Sequence, residues 1–169
     1  MLPLHRDARR AIEGLHNARN TMTLEKVVYT SHAIANGGRD GESKTAQDAG
    51  NHPLSVKLAS PTEMGGNGQG NNPEQLFAAG YAACFLGAMK FVSSQDAAMP
   101  KPGPDTRVHS SVGIGPRDDK EGFGLAVTLE IEMPGVDKAQ VKTLMDKAHI
   151  VCPYSNATKG NIDVKLSVR

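Results

Sequence analysis

The sequence predicts a single α+β domain with elements in the order β-β-β-α-β-β-α-β. Three patterns carry this reading: β-rich runs with turn signals at the start, one long apolar helix pattern in the middle, and two period-two strands followed by a shorter helix and a last strand. The 169 residues suit one domain with a respectable core. Apolar residues make up 38%, aromatics only 4%, and tryptophan is absent, so the core must be built from Val, Ile, Leu, Ala and Met.

The first element lies in Leu24 to Ile34, where Val27, Val28, Tyr29 and Thr30 form a β-rich run. Asn36-Gly37 and Asp40-Gly41 then bracket a turn of the hairpin kind. A weaker strand around Ser43 to Asp48 and another around Leu54 to Ala59 complete an antiparallel meander. Gly65 to Asn71 (GGNGQGN) is glycine-rich but lacks the Gly-Lys-Ser/Thr ending that grips a phosphate, and it reads as a flexible connection.

The central helix begins with Asn72 as N-cap, Pro73 at the first helical position and Glu74 complementing the positive helix start. From Pro73 to Gln95 it is apolar on nearly every side, with Ala78, Ala79, Gly80, Ala82, Ala83, Gly87 and Ala88 permitting close backbone approach. Burying such a helix all round is hard in a chain this size, which points to a homodimer with the helix at its centre. Val108 to Ile114 and Phe123 to Met133 alternate as strands, with Leu125, Val127, Leu129 and Ile131 on one face. Pro134-Gly135 ends the second. Asp137 caps a second helix carrying Val141, Leu144, Met145 and Ala148, a short turn spans Cys152 to Lys159, and Ile162 to Val168 is the last strand.

Nineteen Lys and Arg stand against 18 Asp and Glu, a balance that argues against binding nucleic acid by bulk charge. No run of about 18 apolar residues is found, so a membrane span is not expected. Arg6, Arg9, Arg10 and Arg19 give the first 21 residues a transit-peptide flavour, but Asp7 and Glu13 interrupt them and the apolar stretch of a secretory signal is missing. The fold is expected to begin near Thr23, after Met22. Two cysteines without a secretory signal imply a cytoplasmic protein whose thiols are spectators, metal ligands or redox groups.

Cys84, about three turns into the apolar helix, reads by itself as a buried spectator. Cys152 reads as the more reactive thiol, because Pro153 favours a helical turn starting directly after it and N-terminal N–H groups lower a thiol pKa. A metal site would draw on His149, Cys152 and Cys84, a thin set for structural zinc, with His32, His52 and His109 scattered.

Residues Asn72 to Phe85 (NPEQLFAAGYAACF) resemble the central-helix motif of the OsmC/Ohr family, in its organic hydroperoxide resistance branch. Val112 to Pro116 (VGIGP) and His149 to Ala157 (HIVCPYSNA) resemble the same branch in matching order. The resemblance runs from about residue 23 to residue 169 as one domain; residues 1–22 form an extension outside it. It implies an intertwined homodimer with antiparallel sheets around the buried helix, and a thiol peroxidase that reduces alkyl and fatty-acid hydroperoxides. Cys84 would be the peroxidatic thiol and Cys152 the resolving one, joined in a transient disulfide that a dihydrolipoyl group on a lipoylated protein reduces. Phe77, Tyr81 and Phe91 would line an apolar substrate pocket. No bound cofactor or metal is implied. The alternative is a thiol-based redox sensor or small-molecule binding protein of the same fold.

The resemblance gives first attack to Cys84, against the unaided preference for Cys152. A buried thiol needs a cation to ionise, and the family's arginine, held by a glutamate, matches Arg39 and Glu74 here. Ten helical positions, roughly 15 Å, separate Glu74 from Cys84. The expectation is therefore a composite site in which Arg39 or Glu74 comes from a second subunit.

Overall fold

A computed structural model describes residues 23–46 and 52–169; the N-terminal extension and part of the second expected strand, residues 47–51, lie outside them. The described residues form two three-stranded sheets and three α-helices.

The first sheet is a meander of β1 (Ala33–Asn36), β2 (Glu42–Thr45) and β3 (Ser55–Lys57), all antiparallel. The turn between β1 and β2 follows from Gly37 and Gly38, at φ 66° and 59°, values that glycine adopts without strain. The expected first strand is displaced. The ladder starts only at Ala33, and Leu24, Val27 and Val28 are exposed among the described residues. The sheet joins the rest through Leu58 and Ala59, both buried, and the bridge from Leu58 to Asn71.

The glycine-rich segment is not the loose connection its composition suggests. Gly66 and Gly68 donate back to the carbonyls of Pro61 and Ser60, each at 3.0 Å. A Cβ on Gly66 would meet the Ser60 carbonyl oxygen at 2.0 Å, so only glycine fits this fold-back.

Helix α1 spans Pro73–Gln95 and starts at a full capping box. Asn72 Oδ1 accepts from the Gln75 N–H at 2.9 Å, and Gln75 Oε1 accepts from the Asn72 N–H at 3.1 Å. By length and a mean hydropathy of 1.5 it is long and apolar enough to cross a membrane, contrary to the expectation that no segment would be, although the core helix of a soluble protein meets the same criterion. Its burial also departs from expectation. Tyr81, Phe85, Ala88, Met89 and Val92 are buried, whereas Ala79, Ala83, Gly87 and Phe91 on the other side are exposed.

The second sheet receives that buried face. A ten-residue hairpin pairs β4 (Arg107–Pro116) with β5 (Phe123–Glu132), and Val127, Leu129 and Ile131 point inward at period two. Asp137 caps α2 (Lys138–Val151) by accepting from the N–H groups of Ala139 and Gln140 at 3.0 and 3.2 Å. The expected turn after Cys152 is a short helix, α3 (Pro153–Thr158), as Pro153 pre-sets the helical φ directly after the cysteine. The last strand, β6 (Val164–Val168), lies parallel to β5, which corrects the expectation of purely antiparallel sheets. Parallel neighbours need a long crossover, and α2 with α3 supplies it.

The core unites α1, β5 and α2 through Tyr81, Phe85, Met89, Leu129, Ile131, Val141, Leu144 and Ala148. Leu129 is fully buried at its centre. Leu129→Ala is expected to destabilise the protein by about 2–5 kcal/mol in urea denaturation, the cost of a cavity that the surrounding helices fill only in part.

Candidate functional site

The fold brings two pairs of the expected site residues together from distant parts of the sequence. The first is the thiols. Cys84 sits on α1 and is partly exposed; Cys152 sits at the junction of α2 and α3 and is fully buried. Their sulfurs stand 3.5 Å apart with both thiols free. A disulfide needs about 2.05 Å between sulfurs, so closure requires a shift on the order of 1.5 Å rather than a rearrangement.

Burial pushes the Cys84 thiol above its ordinary value. The backbone N–H of Tyr154 draws it back by hydrogen bonding to the sulfur, and the adjoining Cys152 thiol pushes it up again. The turn directly after Cys152 thus bears on the Cys84 thiol as well, which the sequence reading did not consider. Cys152 makes no side-chain capping bond to α3.

The second pair is ionic. Arg39, on the turn between β1 and β2, donates from both terminal nitrogens to Glu74, in the first turn of α1, at 2.9 and 2.6 Å. This parallel fork is the strong geometry for Arg and carboxylate. The Arg39 hydrogen bonds hold the Glu74 carboxyl below the usual carboxylate range, with burial opposing them. Glu74 raises the guanidinium's pKa in return. The pair lies at the N-terminal end of α1, ten residues before Cys84, so the two halves of the expected site are not joined along one helix.

An aromatic group flanks Cys84. The Phe77 and Tyr154 rings stack with centroids 5.9 Å apart, and Tyr81 meets both edge-on at 5.7 Å. Gly80 leaves room for this arrangement, for a Cβ there would lie 3.2 Å from the Tyr154 ring. Phe91, grouped with Phe77 and Tyr81 from the sequence, is 56% exposed and outside the ring cluster. Tyr154 joins the cluster instead, and its position two residues after Cys152 was the available signal for it. Beneath the rings, the Tyr81 hydroxyl donates to Ser155 Oγ at 3.0 Å, and His149 Nδ1 lies 3.0 Å from the same oxygen. His149 is thus engaged away from the sulfurs, and burial holds its imidazole below the ordinary value, against the pull of Asp146. Among the described residues no group of three or more His, Cys, Asp and Glu gathers to hold a metal ion. A cavity of about 470 Å³ opens elsewhere, between Lys90, Ser93, Ser94, Ala97, Lys101 and Pro102 near the far end of α1. None of the expected site residues lines it.

Residues 66–167 match the model of the family described as OsmC-like protein. An organic hydroperoxide resistance protein of Xanthomonas axonopodis pv. citri is 57% identical over 145 residues, covering 85% of this chain and 96% of the relative. Among solved structures, an organic hydroperoxide resistance protein of Legionella pneumophila matches with a TM-score of 0.74 at 44% identity, over 85% of this chain and 98% of that one. The organic hydroperoxide resistance protein OhrB of Bacillus subtilis matches with a TM-score of 0.72 at 34% identity, over 85% and 100%.

The ion pair has a measurable pH signature. A carboxyl whose folded pKa is depressed contributes stability that is present above its unfolded value, about 4.3, and lost as pH falls through the lower folded value. Wild-type protein is therefore expected to lose stability on acidification below about pH 4.3 more steeply than Glu74→Gln. Chemical denaturation at a series of pH values checks this, and parallel profiles would refute it.

Proposed function

The chain belongs to the OsmC-like protein family, in its organic hydroperoxide resistance branch, and from that premise we propose that it is a two-cysteine peroxidase acting on organic hydroperoxides. The observation that carries the reading is the pair of free thiols 3.5 Å apart, one reachable from solvent and the other fully buried. This asymmetry suits a division of labour, in which the reachable sulfur meets the peroxide and the buried one waits for its product.

In the first step the Cys84 thiolate attacks the terminal oxygen of the hydroperoxide. An S–O bond forms, the O–O bond breaks, and the alkoxide leaves as an alcohol after taking a proton, with Cys84 left as sulfenic acid. Cys152 then attacks the Cys84 sulfur; the S–S bond forms and the hydroxyl leaves as water. A dihydrolipoyl-type dithiol reduces this disulfide by exchange, becoming a cyclic disulfide and restoring both thiols. The stacked Phe77 and Tyr154 rings, with Tyr81 edge-on, offer an apolar surface beside Cys84, and this favours alkyl and fatty-acid hydroperoxides over hydrogen peroxide. Phe91, seven residues beyond Cys84 and thus on the same side of α1, extends that surface.

The thiol needs a cation, because burial raises its pKa within the single chain. Arg39 is bound to Glu74, roughly 15 Å along the helix, and the two move as a unit. The working protein is accordingly a homodimer in which Arg39 and Glu74 of the partner subunit face Cys84. The exposed apolar side of α1 and the uncovered run at Leu24, Val27 and Val28 support such an assembly, since a second copy would cover both.

Reduced protein supplied with dihydrolipoamide is expected to consume tert-butyl hydroperoxide faster than hydrogen peroxide. Cys84→Ser should abolish turnover, and Cys152→Ser should allow one oxidation and then accumulate sulfenic acid, read by mass spectrometry. No turnover with any dithiol would overturn the peroxidase in favour of a redox sensor. For the composite site, Arg39→Met and Cys84→Ser subunits, each inactive alone, should recover activity when mixed and allowed to exchange. A mixture that stays inactive although mixed dimers form would sink that arrangement.

A further inference from the structure

Between the three helices lies a polar cluster that the two-cysteine chemistry does not use. Ser155 of α3 and Thr158 one turn on are buried, and so is Tyr81 of α1. The Tyr81 hydroxyl donates to Ser155 Oγ at 3.0 Å and also lies 3.3 Å from Thr158 Oγ1. Ser155 Oγ lies 3.0 Å from His149 Nδ1 of α2. The Ser155 oxygen already accepts the Tyr81 proton, so its own proton is free to point at His149 Nδ1, which is an acceptor while the imidazole is neutral. One hydroxyl thus ties α1, α2 and α3 together. Buried polar groups are costly unless fully bonded, which makes such a junction a rigid one.

What it holds is the pair of thiols. Ser155 is three residues after Cys152, whose sulfur lies 3.5 Å from that of Cys84. The Thr158 hydroxyl also reaches the carbonyls of Tyr154 and Ser155 at 3.0 and 3.1 Å, stiffening the same turn. We infer that Ser155 is a positioning residue for the thiol pair: its bonds to Tyr81 and His149 set α3 so that Cys152 stays within reach of Cys84. This rests on the two-cysteine reading and deepens it. Ser155 touches neither sulfur in its role; it acts by limiting how far the two separate when reduced, which keeps closure to a disulfide entropically cheap.

The test reads the thiol–disulfide equilibrium of the full chain in a dithiothreitol redox buffer, without peroxide. Ser155→Ala is expected to shift that equilibrium toward the dithiol roughly three- to tenfold, the factor one net hydrogen bond supplies. A hydroxyl that served stability alone would lower the melting temperature and leave this constant unmoved. Tyr81→Phe keeps the ring and removes the donor to Ser155, so it gives the same reading if Ser155→Ala does not fold. A shift in the folded variant supports the assignment, and an unchanged constant overturns it. Failure of the wild-type protein to consume hydroperoxide would refute the peroxidase reading while leaving this result to stand by itself.

Discussion

The packing of one face of α1 against β5 and α2 is the constraint on which everything else depends. Tyr81, Phe85, Met89 and Val92 recur at helical spacing and meet Val127, Leu129 and Ile131 from the sheet and Leu144 and Ala148 from the second helix. That contact forms the core cluster of the described residues and sets where both thiols sit. Cys84 lies at the edge of this face, which leaves its sulfur half in the core and half accessible. The opposite face, lined by Ala79, Ala83 and Gly87, is left exposed by the described residues. A helix apolar on all sides cannot be satisfied by one small sheet, and this shapes the proposed assembly.

The site's electrostatics follow from the same packing. Placing a thiol at the core edge raises its pKa, and the single N–H of Tyr154 offsets this only in part. The chain holds its paired cation at the other end of the helix, preorganised by a carboxylate and not free to swing along it. The separation of thiol and guanidinium within one chain is what motivates the proposed site completed between two copies. The bond that fixes Arg39 also orients its charge, so Glu74 has a positioning part distinct from its place in the first turn of α1.

The short helix after Cys152 links this buried thiol to its surroundings. Pro153 starts it, Tyr154 contributes an N–H and a ring to the Cys84 side, and Ser155 anchors it to both longer helices. Four consecutive residues, from Cys152 to Ser155, thus carry the second sulfur, the helix start, a wall of the apolar surface and the anchor. A strand in this place would point alternate side chains to opposite sides; a helical turn brings all of them within one turn of the sulfurs.

Local chemistry was readable from the sequence wherever a single segment decides it. The caps at Asn72 and Asp137, the proline starts, the period-two face of β5 and the motifs around both cysteines depend on neighbours within a few residues, and all are visible in the chain as written. Tertiary structure decided what depends on groups far apart in sequence. The parallel seating of β6 depends on a crossover rather than on its own residues, and the first strand's late start depends on which strands are present to pair with it. Gly65 to Asn71 looked loose because composition records no hydrogen bonds, yet the backbone of Ser60 shapes it. The same limit hid the influence of Tyr154 on the Cys84 thiol and the meeting of Tyr81, His149 and Ser155: an alternation or a cap is a short-range pattern, whereas a pKa and a buried hydrogen-bond network are sums over whatever the fold brings near.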